Sequence, residues 1–258
     1  MVRPETPPGD RSRYVEPAGE PRLVWLFDVD GTLLLTDGAA REAFAFAVRE
    51  RLGVEDDLRD IAFAGRTDPL ILADILTKHG RELPDGESSR FWQTAYARME
   101  TLLTPGRGRL LPGVLDMLAA VDAEPGWIPA LLTGNTAGMA RIKLDHFGIA
   151  GRFAFGAFGD EAGDRNALAR VAVARARERY DVPAERCIVV GDTEHDIACA
   201  RAAGAKVVAV ATGVRDRATL AAHGPDLLLD DLSEEGPWLD FARLVAAGAG
   251  GSLLPPRW

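Results

Sequence analysis

Leu23-Val24-Trp25-Leu26-Phe27 runs without a break into Asp28-Val29-Asp30-Gly31-Thr32-Leu33-Leu34. The continuous apolar run predicts a strand buried on both faces, as inside a parallel sheet covered by helices. The two aspartates that follow sit at the strand-to-loop exit, where both can face the crevice above the sheet. Like charges so close repel unless a cation or a shared proton intervenes. Magnesium suits such a place, because it takes one or two carboxylates together with waters and substrate phosphate. Gly31 lets the backbone turn there and approach a ligand closely. The plainer alternative is an acidic turn after a buried strand.

Further short apolar runs recur at Ile128–Leu132, Phe153–Phe155, Cys187–Val190, Val207–Val210 and Leu227–Leu229. Helical periodicity separates them. Within 164–179, Leu168, Val171, Ala172 and Ala176 share a face; within 136–147, Met139, Ile142 and Phe147 do, and Gly148 supplies the stop. The alternation predicts an α/β fold, a Rossmann-like parallel sheet with helices on both faces. Pro129 cannot donate to a sheet ladder, so its strand is expected to begin at or just after it.

Residues 37–110 break this alternation and read as helices only. Phe44, Ala47, Val48 and Leu52 form one stripe, ending at Gly53. Asp68-Pro69 opens a second helix as N-cap and first-position proline, and Gly80 closes it. Phe91, Ala95, Met99, Leu102 and Leu103 mark a third. The expected organisation is an α/β core over 22–36 and 111–247, with a small all-helical cap over 37–110 inserted after the first strand. Such a cap would sit at the strand ends, where ligands bind in these sheets. Residues 1–21, with five prolines, read as a disordered tail, and 248–258 as a flexible one.

Composition narrows the classes of function. Of 258 residues, 47% are hydrophobic and 27% charged, which is ordinary for a globular chain. With 39 acidic against 30 basic residues the net charge is -9, which argues against nucleic acid as a partner. A small anionic substrate stays open, since a local pocket can oppose the global sign. Cys187 and Cys199 lie among apolar neighbours and are expected to be reduced core residues. No apolar run approaches the ~18 residues of a membrane span, and no apolar segment follows the basic residues near the start, so no secretory signal is expected. A cytoplasmic protein with no membrane partner is expected. Neither a Walker-type loop nor a strand-linked G-x-G-x-x-G occurs, so nucleotide-switch and dinucleotide-redox readings lack support.

Two further strand ends carry polar residues. Leu131-Leu132-Thr133-Gly134-Asn135 places a hydroxyl, a glycine amide and a helix start together, a potential anion site. An ordinary helix cap by Thr133 or Thr136 reads equally well. Val189-Val190-Gly191-Asp192-Thr193-Glu194-His195-Asp196 sets two aspartates about one helical turn apart, near enough to share a metal. Helix capping by Asp192 and Thr193 is the alternative.

Taken together, these pieces resemble the haloacid dehalogenase-like superfamily, in its phosphoglycolate phosphatase-like branch. DVDGTLL resembles the first family motif, LLTGN the second and GDTEHDIACARAAGA the fourth, and the resemblance spans roughly 22–246. It implies a Mg²⁺-dependent phosphatase acting on a small phosphorylated metabolite through an aspartyl-phosphate. By this resemblance Asp28 is the nucleophile and Asp30 the general acid and base. Asp28, the Asp30 backbone carbonyl, Asp192 and Asp196 would serve the metal. Thr133, Gly134 and Asn135 would hold the phosphoryl group.

The third family motif is usually a lysine, often followed by proline, and no Lys-Pro exists here. Arg165 is the candidate replacement, although a guanidinium is not equivalent to an ammonium. Lys143 is set aside because it falls inside the preceding helix. Ala64-Gly65-Arg66-Thr67-Asp68 falls where related proteins place a loop near the leaving group; Arg66 would read a second anionic group there, or simply belong to a capping turn. His195 is expected to shape its loop rather than ligate, and His79, His146 and His223 need no catalytic role. A sugar-phosphate mutase and a catalytically silent binding protein on the same scaffold remain as alternatives.

Overall fold

The computed structural model describes residues 22–84 and 86–248; the expected tail over 1–21 lies outside them, as does all but Gly248 of the C-terminal one. Its centre is β1 (Leu23–Phe27), every residue of which is buried. Alternation along the strand sends Leu23, Trp25 and Phe27 into one apolar layer and Val24 and Leu26 into the other. Each face therefore needs its own cover. Helices α4 (Val114–Ala123) and α9 (Glu235–Ala246) pack on the first layer. Helices α6 (Arg165–Tyr180), α7 (Glu194–Ala202) and α8 (Arg217–Ala222) pack on the second. The cysteines belong to this second layer, where burial pushes both thiols up to about 12.

The strands β4 (Trp127–Thr133), β5 (Gly156–Phe158), β6 (Cys187–Gly191), β7 (Lys206–Val210) and β8 (Leu227–Leu229) complete a parallel sheet in the order β5-β4-β1-β6-β7-β8. The chain winds outward from β1 through β4 and β5, then returns to build β6 to β8 on the other side. This reversal makes a crevice at the carboxyl ends of β4, β1 and β6, the usual ligand position in such sheets.

Two strand expectations need correction. Pro129 lies inside β4, paired with Trp25, rather than at its start. In a parallel strand the N–H and C=O of one residue point to the same side, and the Pro129 carbonyl accepts from Ala154 N at 2.8 Å. The missing donor therefore faces the β5 side, where pairing begins only at Leu131, so no ladder bond is lost. Phe153–Phe155 is buried but precedes β5, which starts at Gly156. Apolarity there marks burial, not pairing.

Between β2 (Leu34–Leu35) and β3 (Arg109–Leu110), an antiparallel pair, lie the helices α1 (Ala39–Leu52), α2 (Asp68–Lys78) and α3 (Glu87–Leu102). Residues 37–110 thus include a short strand as well as helices. The three helices share a separate apolar cluster around Phe44, Ile75, Phe91 and Met99. Thr67, not Asp68, caps α2, its hydroxyl accepting from Leu70 N. Asp68 instead bridges to the core. Its carboxylate accepts from Thr136 N at 2.7 Å, and its own N–H donates to Gly134 O at 2.7 Å. Together with Tyr96, whose hydroxyl donates to Thr136 at 2.8 Å, it ties the helical segment to the start of α5 (Ala137–His146). Among the described residues no helix is long and apolar enough to cross a membrane.

Candidate active site

The first half of the site hangs from β1 and β6. Asp28 follows β1, Asp192 follows β6, and Asp196 stands one turn into α7; all three are buried, with carboxylate oxygens within 4.8 Å of one another. Thr193 begins α7, and its N–H donates to Asp196 Oδ2 at 3.0 Å, which fixes that carboxylate as part of a capping box. Asp192 accepts from the Thr32 hydroxyl at 3.3 Å. Gly31, at φ 80°, lies so close that a Cβ there would come within 2.4 Å of Asp192 Oδ2. Only glycine fits both the left-handed backbone and that approach.

Arg165, the first residue of α6, inserts its guanidinium among these acids: Nη2 is 2.9 Å from Asp28 Oδ2 and also donates to Asp196 Oδ1. Three carboxylates against one guanidinium leave an excess of negative charge in a desolvated place. Burial accordingly pushes Asp28 up to about 6, against the pull of Arg165 and with Asp196 reinforcing it. Burial, helped by Asp196 and Asp28, drives Asp192 well above the usual carboxylate range. Hard oxygen donors with surplus negative charge are the chemistry of a Mg²⁺ site, so the residues present fit that ion.

The second half hangs from β4 and α5. Asp30 reaches toward Lys143 and Asn135. Lys143 Nζ donates to Asp30 Oδ2 and, at 2.8 Å, to Asn135 Oδ1; Asn135 Nδ2 donates to the same Asp30 oxygen at 2.9 Å. The side chain of Lys143 is 1% exposed, and an ammonium held so deep requires such partners. Sequence reasoning missed it. A signal was present: Lys143 falls four residues after Met139 and three after Ala140, on the buried stripe of α5. Thr133 is fully buried, and its hydroxyl accepts from Asn135 N at 3.3 Å. It shapes the loop, while Gly134 and Asn135 line the crevice. Thr136 is the cap of α5.

Both halves open into one cavity of about 260 Å³. Asp28, Asp30, Asp192, Arg165 and Lys143 form its floor, while Phe63, Ala64, Gly65, Arg66 and Ile71 come from the helical segment. Arg66 pairs with Asp74 and lines the wall. Arg41, another residue the sequence did not single out, also lines it; its guanidinium lies 4.6 Å from the Phe63 ring centroid. The loop is pressed onto the core: a Cβ on Gly134 would come within 2.2 Å of Arg66 O. His195 packs beside Gly65 on the outside of that loop.

With this geometry established, the likeness to known proteins is informative. Residues 24–204 match the model of the haloacid dehalogenase-like hydrolases. A phosphoglycolate phosphatase of Rhodospirillum rubrum is 28% identical over 226 residues, covering 84% of this chain and 90% of that protein. The crystal structure of CbbY from Rhodobacter sphaeroides in complex with phosphate superposes with TM-score 0.68 at 25% identity, covering 83% of this chain and 96% of that one. A β-phosphoglucomutase of Clostridium difficile shares the fold, with TM-score 0.66 at 18% identity over 88% of this chain and 98% of that one. The chain belongs to the haloacid dehalogenase-like hydrolases and, among them, to the phosphoric monoester hydrolases of the phosphoglycolate phosphatase-like branch.

Proposed function

We propose that this enzyme hydrolyses a small phosphate monoester with Mg²⁺, passing through an aspartyl-phosphate on Asp28. The observation that carries the proposal is the division of the cavity floor: a buried acidic cluster around Asp28 on one side, and a tethered Asp30 facing it on the other. Asp28 attacks phosphorus in line while the ester P–O bond breaks, and Asp30 delivers its proton to the departing oxygen. A water then gives its proton to Asp30 and attacks the same phosphorus, releasing phosphate and restoring Asp28.

Arg165 offsets charge on Asp28 and the phosphoryl oxygens, the duty that the family's lysine usually performs. The Gly134 and Asn135 amides at the start of α5 hold the transferring group. Mg²⁺, held by Asp28, Asp192, Asp196 and the Asp30 carbonyl, would neutralise phosphoryl charge that one guanidinium leaves unmet. The helical segment serves as the cap, and Arg66 and Arg41 on its wall read a second anionic group on the substrate.

The test is a phosphate-release screen over many esters with Mg²⁺, with Asp28→Asn as control. Release by the wild type that stops with chelator and is absent from the variant is expected. An isomerised sugar phosphate in place of free phosphate would instead mark a mutase, and turnover by Asp28→Asn at the wild-type rate would overturn the assignment of the nucleophile.

A further inference from the structure

We infer that Lys143 is the positioning residue for the general acid and base, acting on Asp30 rather than on the phosphoryl group. The inference rests on the phosphatase reading above. Lys143 Nζ and Asn135 Nδ2 both donate to one oxygen of Asp30, Oδ2. Among the described residues no hydrogen bond is made to the other oxygen, Oδ1. Asp30 itself is half-exposed and lines the cavity. Two donors on one oxygen fix the plane of the carboxylate and leave Oδ1 as the atom that meets substrate.

Lys143 and Asn135 also bond each other, at 2.8 Å, so the three side chains form a closed ring with little freedom to rotate. Arg165 already contacts Asp28, so the cation nearest the nucleophile is not Lys143. The two basic side chains thus divide the labour. Arg165 serves the attacking carboxylate, and Lys143 orients the proton carrier.

Orientation of a proton donor matters in proportion to how much the leaving group needs the proton. The kcat/KM value reports the steps up to release of the alcohol, before water attacks Asp28. It is measured for 2-phosphoglycolate, whose alkoxide needs protonation, and for p-nitrophenyl phosphate, whose phenolate leaves unaided. Lys143→Met preserves the length of the stem without the charge. It is expected to lower kcat/KM about 10²-fold on the alkyl ester and less than about tenfold on the aryl ester.

Asn135→Ala, which removes the second tether, is expected to show the same selectivity more weakly, and it carries the test should Lys143→Met fail to fold. Equal losses on both esters in a folded variant would overturn the positioning assignment and move Lys143 to the phosphoryl group or the scaffold. If the wild type turns over neither ester, an alkyl and an aryl ester that it does hydrolyse in the phosphate-release screen take their place. Inactivity on every ester would overturn the phosphatase reading, and this inference with it.

Discussion

On the sheet side of the cavity, Asp28, Asp192 and Asp196 crowd around one guanidinium; on the helix side, Asp30 meets an ammonium and a carboxamide. The first group holds more negative charge than the protein itself balances, and burial raises two of its carboxyls. The second is paired one to one and braced by Asn135. The contrast separates two requirements of phosphoryl transfer. On the reading proposed above, charge neutralisation would be left partly to a bound cation, whereas proton delivery would be built from side chains alone.

The largest effect that could break this contrast comes from Asp28, the proposed nucleophile. Asp28→Asn is expected to reduce turnover by at least about 10⁴-fold while leaving the fold intact, as read by circular dichroism and phosphate release. Removal of divalent cations comes next. A chelator should abolish turnover reversibly, and Mg²⁺ should raise the melting temperature of the wild type but not of Asp192→Asn. Without metal that variant should melt above the wild type, because one of three mutually repelling buried carboxylates is gone. A metal-free wild type that melts no lower than Asp192→Asn would count against the idea of excess charge.

Arg165→Ala should then cost about 10²- to 10³-fold in turnover, since it removes the cation that pairs with Asp28 among the described residues. His195→Ala should cost little, because the ring packs outside the Arg66 loop. Comparable, mild losses in both would dissolve the distinction between them.

The smallest effect concerns the tie between the helical segment and α5. Burial pushes Asp68 from its ordinary 3.8 up to about 7, so the folded protein holds this proton more tightly than the unfolded chain does. Its stabilising contribution is complete below pH 3.8 and fades as pH rises through about 7. Asp68→Asn keeps an acceptor for Thr136 N and should flatten the pH dependence of stability over that interval. Denaturant titrations at several pH values would show it; an unchanged slope would mean that Asp68 is not the group responsible.

Much of the sheet side is legible in the sequence because each strand hands its charge directly to the crevice. Apolar runs ending in Asp28 and Asp192 state both the burial of the strand and the position of the acid, and β1, β6 and β8 follow those runs closely. Arg165 is legible too, as a basic residue at the start of a helix upstream of β6.

The helix side is legible only in part: Asp30 and Asn135 stand in readable strand-end stretches, but the cation that joins them is placed across helical turns. Lys143 reads as an interior helix residue until its place on the stripe of Met139, Ala140 and Leu144 puts it against Asp30. Asp68 reads as a cap, since a carboxylate before proline fits that pattern; the adjacent Thr67 does the capping and frees Asp68 to hold Thr136. Pro129 misleads for a related reason. A local rule about donors cannot reveal that the neighbouring strand starts later.

Rapid-quench mass spectrometry of the enzyme mixed with p-nitrophenyl phosphate and Mg²⁺ tests the central claim most directly, using Asp30→Asn to slow breakdown of the covalent state, since this leaving group needs no proton from Asp30. The account predicts one phosphoryl group on the peptide that contains Asp28, appearing with substrate and lost with chelator. Sustained phosphate release with no covalent phosphate at Asp28, at any quench time, would contradict it.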